Sequence, residues 1–389
     1  MTAVSAGAAG PEVEEAEQVP LLFRPATPYY LLLGATLLLL TLGLVMVFSA
    51  SSVVAFTSFG SSFAIVAKQA VWVAIGLPLM LVATRLPVRA WRALSYVGLI
   101  GSVALLVLVV VAGVDVNGNR NWLNFGGPFR IQPSEFAKLA LILWGADLLA
   151  RKDRLLDQWK HLLVPLVPVG GGVIFLVLLG GDLGTALILV AILASLLYIA
   201  GSPIRLFVGA AAPAGLMVLW MLHTKSERLS RITSWLDPSK DPQGAGWQLL
   251  HGKFALASGG WWGVGLGGST EKWGSLPEAH TDFIFAIIGE ELGLVGTIAV
   301  LALFGAIGYA GLRVAVHATD PFVRYASGGV TSWLMVQALV NVGAVLGILP
   351  ITGVPLPLVS YGGSALVPAL LGLGMLLSFA RAGRSGHGR

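Results

Sequence analysis

Residues 29–50 read YYLLLGATLLLLTLGLVMVFSA, with no charged side chain among them. A run this long and apolar crosses a hydrocarbon core as an α-helix, which takes about 20 residues. The apolar residues are continuous and do not alternate with polar ones, so the run is a helix and not a barrel strand. Nine further stretches read in the same way: 63–84, 93–113, 135–150, 162–180, 183–200, 206–222, 283–311, 325–348 and 365–380. The expected fold class is all-α, a polytopic integral membrane protein with about ten transmembrane helices. The fourth and seventh spans are short, and Glu135 and Lys138 stand inside the fourth.

Composition agrees with the spans. Of 389 residues, 56% are hydrophobic and 11% charged, and the mean hydropathy is +0.84. A soluble chain carries about 25% charge, so this chain has too few charges to cover a water-facing surface. That excludes soluble enzymes, nucleic-acid modules and disordered scaffolds. Cysteine is absent, which removes disulfides, thiolate metal sites and cysteine nucleophiles. The six histidines show no ligand spacing, no Walker loop appears, and no metal site is expected from spacing.

An even number of spans puts both termini on one side of the membrane. If that side is the cytoplasm, its segments hold fourteen lysines and arginines, the opposite side four, and the long segment 223–281 six. Loops as long as the last are weak topology determinants, and the remaining bias places both termini inside. The same bias accounts for the pI near 9.6 without a nucleic-acid partner. Residues 1–28 read as a disordered cytoplasmic tail, residues 29–381 as the transmembrane domain, and 382–389 as a short cytoplasmic tail.

Three segments fall together on the outer side. Residues 114–134 are polar, aromatic and glycine-rich. Residues 223–281 form the large loop between the seventh and eighth spans. Residues 349–364, LPITGVPLPLVSYGGS, join the last two spans. Long ordered loops usually carry function, so the three are expected to build one extracytoplasmic site. WWGVGLGG (261–268) reads as an interfacial element with its tryptophans at headgroup level.

Ionisable groups within spans are costly and mark function by default. Asp282 opens the eighth span, where the positive end of a helix favours an ionised carboxylate. There it is either a general base for a substrate hydroxyl or a helix anchor capped by His280 and Thr281. Glu290 and Glu291 follow. At 100° per residue they cannot both face one cavity, so one lines a groove and the other meets a basic partner, or both make structural contacts. Glu135 and Lys138 share a helical face, as a local ion pair or as a fixed cation for a diphosphate. Arg120, Arg130 and Trp122 belong to the same region. Asp182 is explained by turn chemistry, and Asp147 by a pair with Arg151.

Four strings go further: NGNRNWLNFGGPFRIQPSEFAKLAL (117–141), GDLGTAL (181–187), LPEAHTDFIFAIIGEELGLVG (276–296) and GILPITGVPLPLVSYGGSAL (347–366). In content and order they closely resemble the shape, elongation, division and sporulation (SEDS) family, over about residues 29–381. MVFSASS (46–52) and PEAHTDFIFAIIGEELG resemble division-type members, with the elongation type the close alternative, and the Gly/Ala-rich wording resembles actinobacterial ones. The tail after Arg381 is shorter than in many division-type members, which suggests a truncated or shorter variant.

The resemblance implies a glycosyltransferase that polymerises lipid II into β-1,4-linked peptidoglycan at the outer face of the cytoplasmic membrane, at the division septum. It puts the catalytic aspartate at Asp282. Candidate substrate-binding residues within the strings are Arg120, Trp122, Gln132, Ser134, Glu135, Lys138, His280, Glu290, Ser360, Tyr361, Gly362 and Gly363. A divalent cation, magnesium or manganese, is a further candidate at the diphosphate. The implied partners are a class B penicillin-binding protein and other division proteins of the membrane. The former is expected against spans eight and nine, where small residues (Ala326, Ser327, Gly328, Gly329) permit close packing with a partner or within the chain. A lipid II flippase and a non-catalytic division scaffold are the alternatives.

Overall fold

The computed structural model describes residues 26–116, 119–124, 126, 130–156, 158–209, 212, 215, 232–238 and 245–386. Its helices are α1 (Thr27–Phe59), α2 (Ala64–Ala83), α3 (Val88–Ala112), α4 (Pro133–Arg151), α5 (Trp159–Leu163), α6 (Leu166–Leu179), α7 (Leu183–Ile199), α8 (Ala245–Gly259), α9 (Ile284–Val316), α10 (Pro321–Val345) and α11 (Gly363–Gly386). Nine of the expected spans fall on these helices, with α5 and α6 sharing one. The seventh, 206–222, lies mostly outside the described residues.

The bundle is layered by polarity. The central helix α4 touches α3, α6, α7, α10 and α11, and is buried along nearly its whole length. This explains why the shortest charged span crosses at all: its charges face protein, not lipid. Much of α10 and α11 is buried as well, whereas α2, α3 and α9 turn most of their surface outward. The small residues of α10 are used inside the chain. A Cβ on Gly328 would meet Ile199 at 2.5 Å, and one on Gly329 would meet Ile142 at 2.8 Å. The reading of this stripe as a partner-helix surface is therefore corrected to internal packing.

Two outer elements were not expected. Residues 114–131 form a small antiparallel sheet in the order β1 (Val114–Val116), β2 (Asn119–Asn124), β3 (Arg130–Ile131). Within 223–281, α8 is a regular helix whose Gly252 packs on Phe283.

The feature that positions the site is a break in α9. This helix has 33 residues, about 50 Å at 1.5 Å each, far more than a hydrocarbon core of about 30 Å. Counting about 20 residues back from Arg313 reaches Gly293. There the backbone leaves helical geometry, with φ 67° and ψ −164°. A break strands the carbonyls before it and the N–H groups after it, and such groups must find partners at membrane depth. Residues 260–265 supply them. Val264 N–H donates to Glu290 O at 2.9 Å and Gly265 N–H to Glu291 O at 3.1 Å. Leu294 N–H donates to Gly260 O at 2.9 Å and Val295 N–H to Trp261 O at 3.3 Å. Beside this splice Trp261 and Trp262 are 70% and 81% exposed.

Gly293 admits no side chain, because a Cβ would lie 2.4 Å from Gly263 N and 2.6 Å from Trp261 O. Gly293→Ala is expected to cost about 2–3 kcal/mol, seen as a fall of several degrees in Tm. Gly34→Ala, with open space around it, is expected to leave Tm unchanged or slightly raised. Equal Tm values for the two variants would contradict the splice.

Candidate active site

Segment 349–362 has no regular structure, so its polar backbone needs side-chain partners. Two amides one turn apart on α10 provide several. Asn341 Nδ2 donates to Val354 O and Asp282 O, each at 2.8 Å. Gln337 Nε2 donates to Pro355 O at 3.0 Å. Ser360 Oγ accepts from Leu356 N–H at 2.8 Å and donates to Thr281 O at 2.6 Å. Tyr361 N–H donates to His280 O at 2.9 Å. From α2, Gln69 Nε2 donates to Ser360 O at 3.3 Å while its Oε1 accepts from Gly362 N–H at 3.2 Å. The 280–282 turn and the 349–362 segment are thereby stitched into one unit, and Asp282 sits on it.

Asp282 is half-buried. It does not lie in the first turn of a helix: α9 starts at Ile284, and its cap is Phe283, which makes no side-chain cap bond. His280 and Thr281 are likewise turn residues and not the cap. The Asp282 carboxylate faces the exposed, positive-φ Gly353 (φ 72°), where a Cβ would stand 3.6 Å from Oδ2. The carboxylate is thus held at the mouth of the bundle by its own main chain. The His280 and Tyr361 rings lie 5.6 Å apart beside it. Burial holds the His280 imidazole below its ordinary value, with Glu278 opposing. Burial raises the Tyr361 phenol, with Arg130 opposing.

The sheet closes a second side. Gln132 Nε2 donates to Asp182 at 2.7 Å, and Asp182 caps α7 by accepting from Thr185 N–H at 2.9 Å. Arg120 and Arg130 are exposed, and Trp122 is half-buried. Gly180 packs against Arg120 O, and Gly184 of α7 against Thr352 O, each too closely for a Cβ. The 114–134 and 349–364 segments therefore converge, as expected. Gly363 belongs to packing, because a Cβ there would collide with Trp72. Ser134 is buried in the first turn of α4, and its Oγ has no hydrogen-bond partner among the described residues.

Three expectations are corrected. Lys138 is not a cation at the rim: it is fully buried. Its Nζ lies 2.8 Å from both Glu135 oxygens and 2.9 Å from Gln337 Oε1. Gln337 Oε1 also accepts from Trp333 Nε1 at 2.8 Å. Glu135 and Lys138 form a buried pair that ties α4, through Gln337, to the 349–362 segment. Glu290 is fully buried and lines no groove. It accepts from Ser269 Oγ and from Thr270 N–H and Oγ1. Glu291 accepts from Ser49 Oγ at 2.6 Å and Lys272 Nζ at 2.9 Å. Both glutamates address the same short segment, Ser269–Lys272. That segment reaches across the helix face and overrides the wheel argument that separated them. The basic partner of Glu291 is thus Lys272 of this loop segment.

The decisive residues that sequence reasoning missed are uncharged: Gln69, Gln337, Asn341 and Ser49. The available signal was an amide pair at i and i+4 in an apolar span, which only a shared polar target makes affordable.

Removing one member of a buried ion pair costs about 3–5 kcal/mol, while replacing both is often nearly neutral. Lys138→Met is therefore expected to destabilise strongly in chemical denaturation, and Lys138→Met with Glu135→Leu to recover most of the loss. A stable single variant would contradict the structural pair.

Comparison with known proteins agrees with this geometry. The family profile described as "Cell cycle protein", covering FtsW, RodA and SpoVE, matches residues 30–385. The chain is 42% identical over 360 residues to the probable peptidoglycan glycosyltransferase FtsW of Mycobacterium tuberculosis, covering 92% of this chain and 68% of that protein. It is 37% identical to the stage V sporulation protein E of Bacillus subtilis, covering 93% and 99%. Among solved structures it resembles a chain of a peptidoglycan synthase complex that coordinates polymerization and crosslinking. That match has a TM-score of 0.75 at 30% identity and covers 90% of this chain and 97% of the other. It also resembles the rod shape determining protein RodA of Thermus thermophilus, with a TM-score of 0.67 at 28% identity, covering 90% and 96%. With this profile match over residues 30–385 and these relatives, the chain belongs to the FtsW, RodA and SpoVE family of multi-pass membrane proteins.

Proposed function

We propose that the chain is a peptidoglycan glycosyltransferase that polymerises lipid II at the outer face of the cytoplasmic membrane, with Asp282 as general base. The observation that carries this reading is the anchoring of Asp282. Its backbone is pinned by Asn341, its neighbours by Ser360 and Tyr361, and its carboxylate stays half-exposed beside Gly353. A base held this way meets an incoming hydroxyl without reorganisation.

In the reaction, Asp282 takes the proton from the acceptor 4-hydroxyl as its oxygen attacks the anomeric carbon of the donor. The bond to the lipid diphosphate breaks on the opposite face, which inverts the α-linked donor to a β-1,4 link. The leaving group is already a stable anion and needs charge neutralisation, not a proton. With Lys138 engaged in the core, that task falls to the exposed Arg120 and Arg130. Were a magnesium or manganese ion bound with the diphosphate, the half-buried Asp282 carboxylate is the group here that would hold it, and the ion would add charge neutralisation for the leaving group.

The relatives' naming and the synthase-complex neighbour support a division-type role with a crosslinking partner, a class B penicillin-binding protein, at the septum. Both termini are placed in the cytoplasm by the charge bias. At the opposite ends of the helices Arg92 of α3 pairs with Asp320 at the start of α10 at 2.7 Å, and Arg324 of α10 with Asp153 after α4 at 2.8 Å. The gathering of irregular, polar segments around Asp282, at one end of the bundle only, suits an enzyme that works from one face better than a flippase.

With purified protein and partner, Asp282→Asn is expected to lower lipid II polymerisation by about 10²–10⁴-fold with Tm unchanged. Undiminished polymer would remove Asp282 as the base, and lipid II flipping in liposomes without polymer would favour a transporter.

A further inference from the structure

A second recess lies at the other end of the bundle. Gln69, near the start of α2, belongs to the Asp282 unit, so the far end of α2 lies on the opposite face. There, where α2 turns into α3, a cavity of about 470 Å³ is lined by Thr84, Arg85, Pro87, Ser378 and Arg381. Its walls are fixed. Ser378 Oγ donates to Leu86 O at 2.7 Å and locks α11 to the turn. Thr84 Oγ1 donates to Leu81 O at 2.7 Å, and Arg85 N–H to Val82 O at 2.9 Å. Among the described residues no acidic one lines the cavity. The exposed Arg85 guanidinium has no hydrogen bond or ion pair among the described residues.

The surroundings specify the ligand. The last turn of α2, leading into the cavity, exposes Leu79, Leu81 and Val82, an apolar surface suited to acyl chains. A free phosphate would use the arginines alone. A phospholipid would use both, with its phosphate between Arg85 and Arg381 and its tails along α2. Basic pockets between transmembrane helices recognise anionic headgroups in this way. We propose that this cavity binds the phosphate headgroup of an anionic phospholipid, in the leaflet opposite the Asp282 site. The neighbouring loops are basic too, and the cavity is the place where that charge is shaped into a site.

The test uses the full chain in detergent, titrated with phosphatidylglycerol or phosphatidylcholine and read by native mass spectrometry. Phosphatidylglycerol is expected to bind at least tenfold more tightly than phosphatidylcholine. Arg85→Gln with Arg381→Gln is expected to weaken phosphatidylglycerol about thirtyfold, the equivalent of two surface cations. The double lysine variant should stay within a few-fold of wild type. Arg205→Gln, an exposed arginine on the same face outside the cavity, should bind like wild type. If the double glutamine variant unfolds, Arg85→Gln alone carries the comparison, with about fivefold expected. The proposal is overturned if the cavity variants bind as wild type does, or if Arg205→Gln weakens binding equally. It is also overturned if inorganic phosphate displaces the lipid at equal concentration, which would mark a free-phosphate site.

Discussion

Every backbone N–H and C=O at membrane depth must find a partner, because lipid offers none. Helices satisfy this rule automatically, and among the described residues two irregular stretches must satisfy it by other means. The first is α9 at Gly293, where residues 260–265 pair with the four groups that the break strands. The second is the segment 349–362, whose carbonyls and N–H groups are met by Gln69, Gln337, Asn341 and Ser360. The two irregularities flank Asp282. The site therefore lies where the fold departs from regular helix, and the surrounding side chains make that departure affordable.

The charges follow the same logic. A buried ion costs several kcal/mol unless it is paired and hydrogen-bonded. Glu135 and Lys138 neutralise one another inside α4 and reach the 349–362 segment through Gln337. Glu290 and Glu291 do the same for the long outer loop: Ser269, Thr270 and Lys272 dock on them, with Ser49 of α1 joining. The loop is thus fastened to the same stretch of helix that follows Asp282.

The architecture also separates tasks by depth. The Asp282 face is where backbone is irregular and side-chain amides and a serine anchor it. The opposite face is held by Arg92 of α3, which pairs with Asp147 of α4 and with Asp320 at the start of α10, and it carries the recess lined by Arg85 and Arg381.

The membrane class and most helices were legible in the sequence, because a span of about 20 apolar residues is a one-dimensional signal. Asp182 in its turn and Asp147 beside Arg151 were also legible, since a charge in an apolar context stands out by itself, whereas the turn that holds Asp282 ahead of the helix was not. The roles of Lys138 and Glu290 were not. Whether a cation faces a substrate or a buried carboxylate depends on which helix lies beside it, and α4 is central only because five others enclose it. Likewise the break at Gly293 became visible only with residues 260–265 in place, because a glycine in a helix carries no sign of the distant segment that will pair with it. Sequence determined where the chain meets lipid, and tertiary structure decided which of its few charges are spent holding it together.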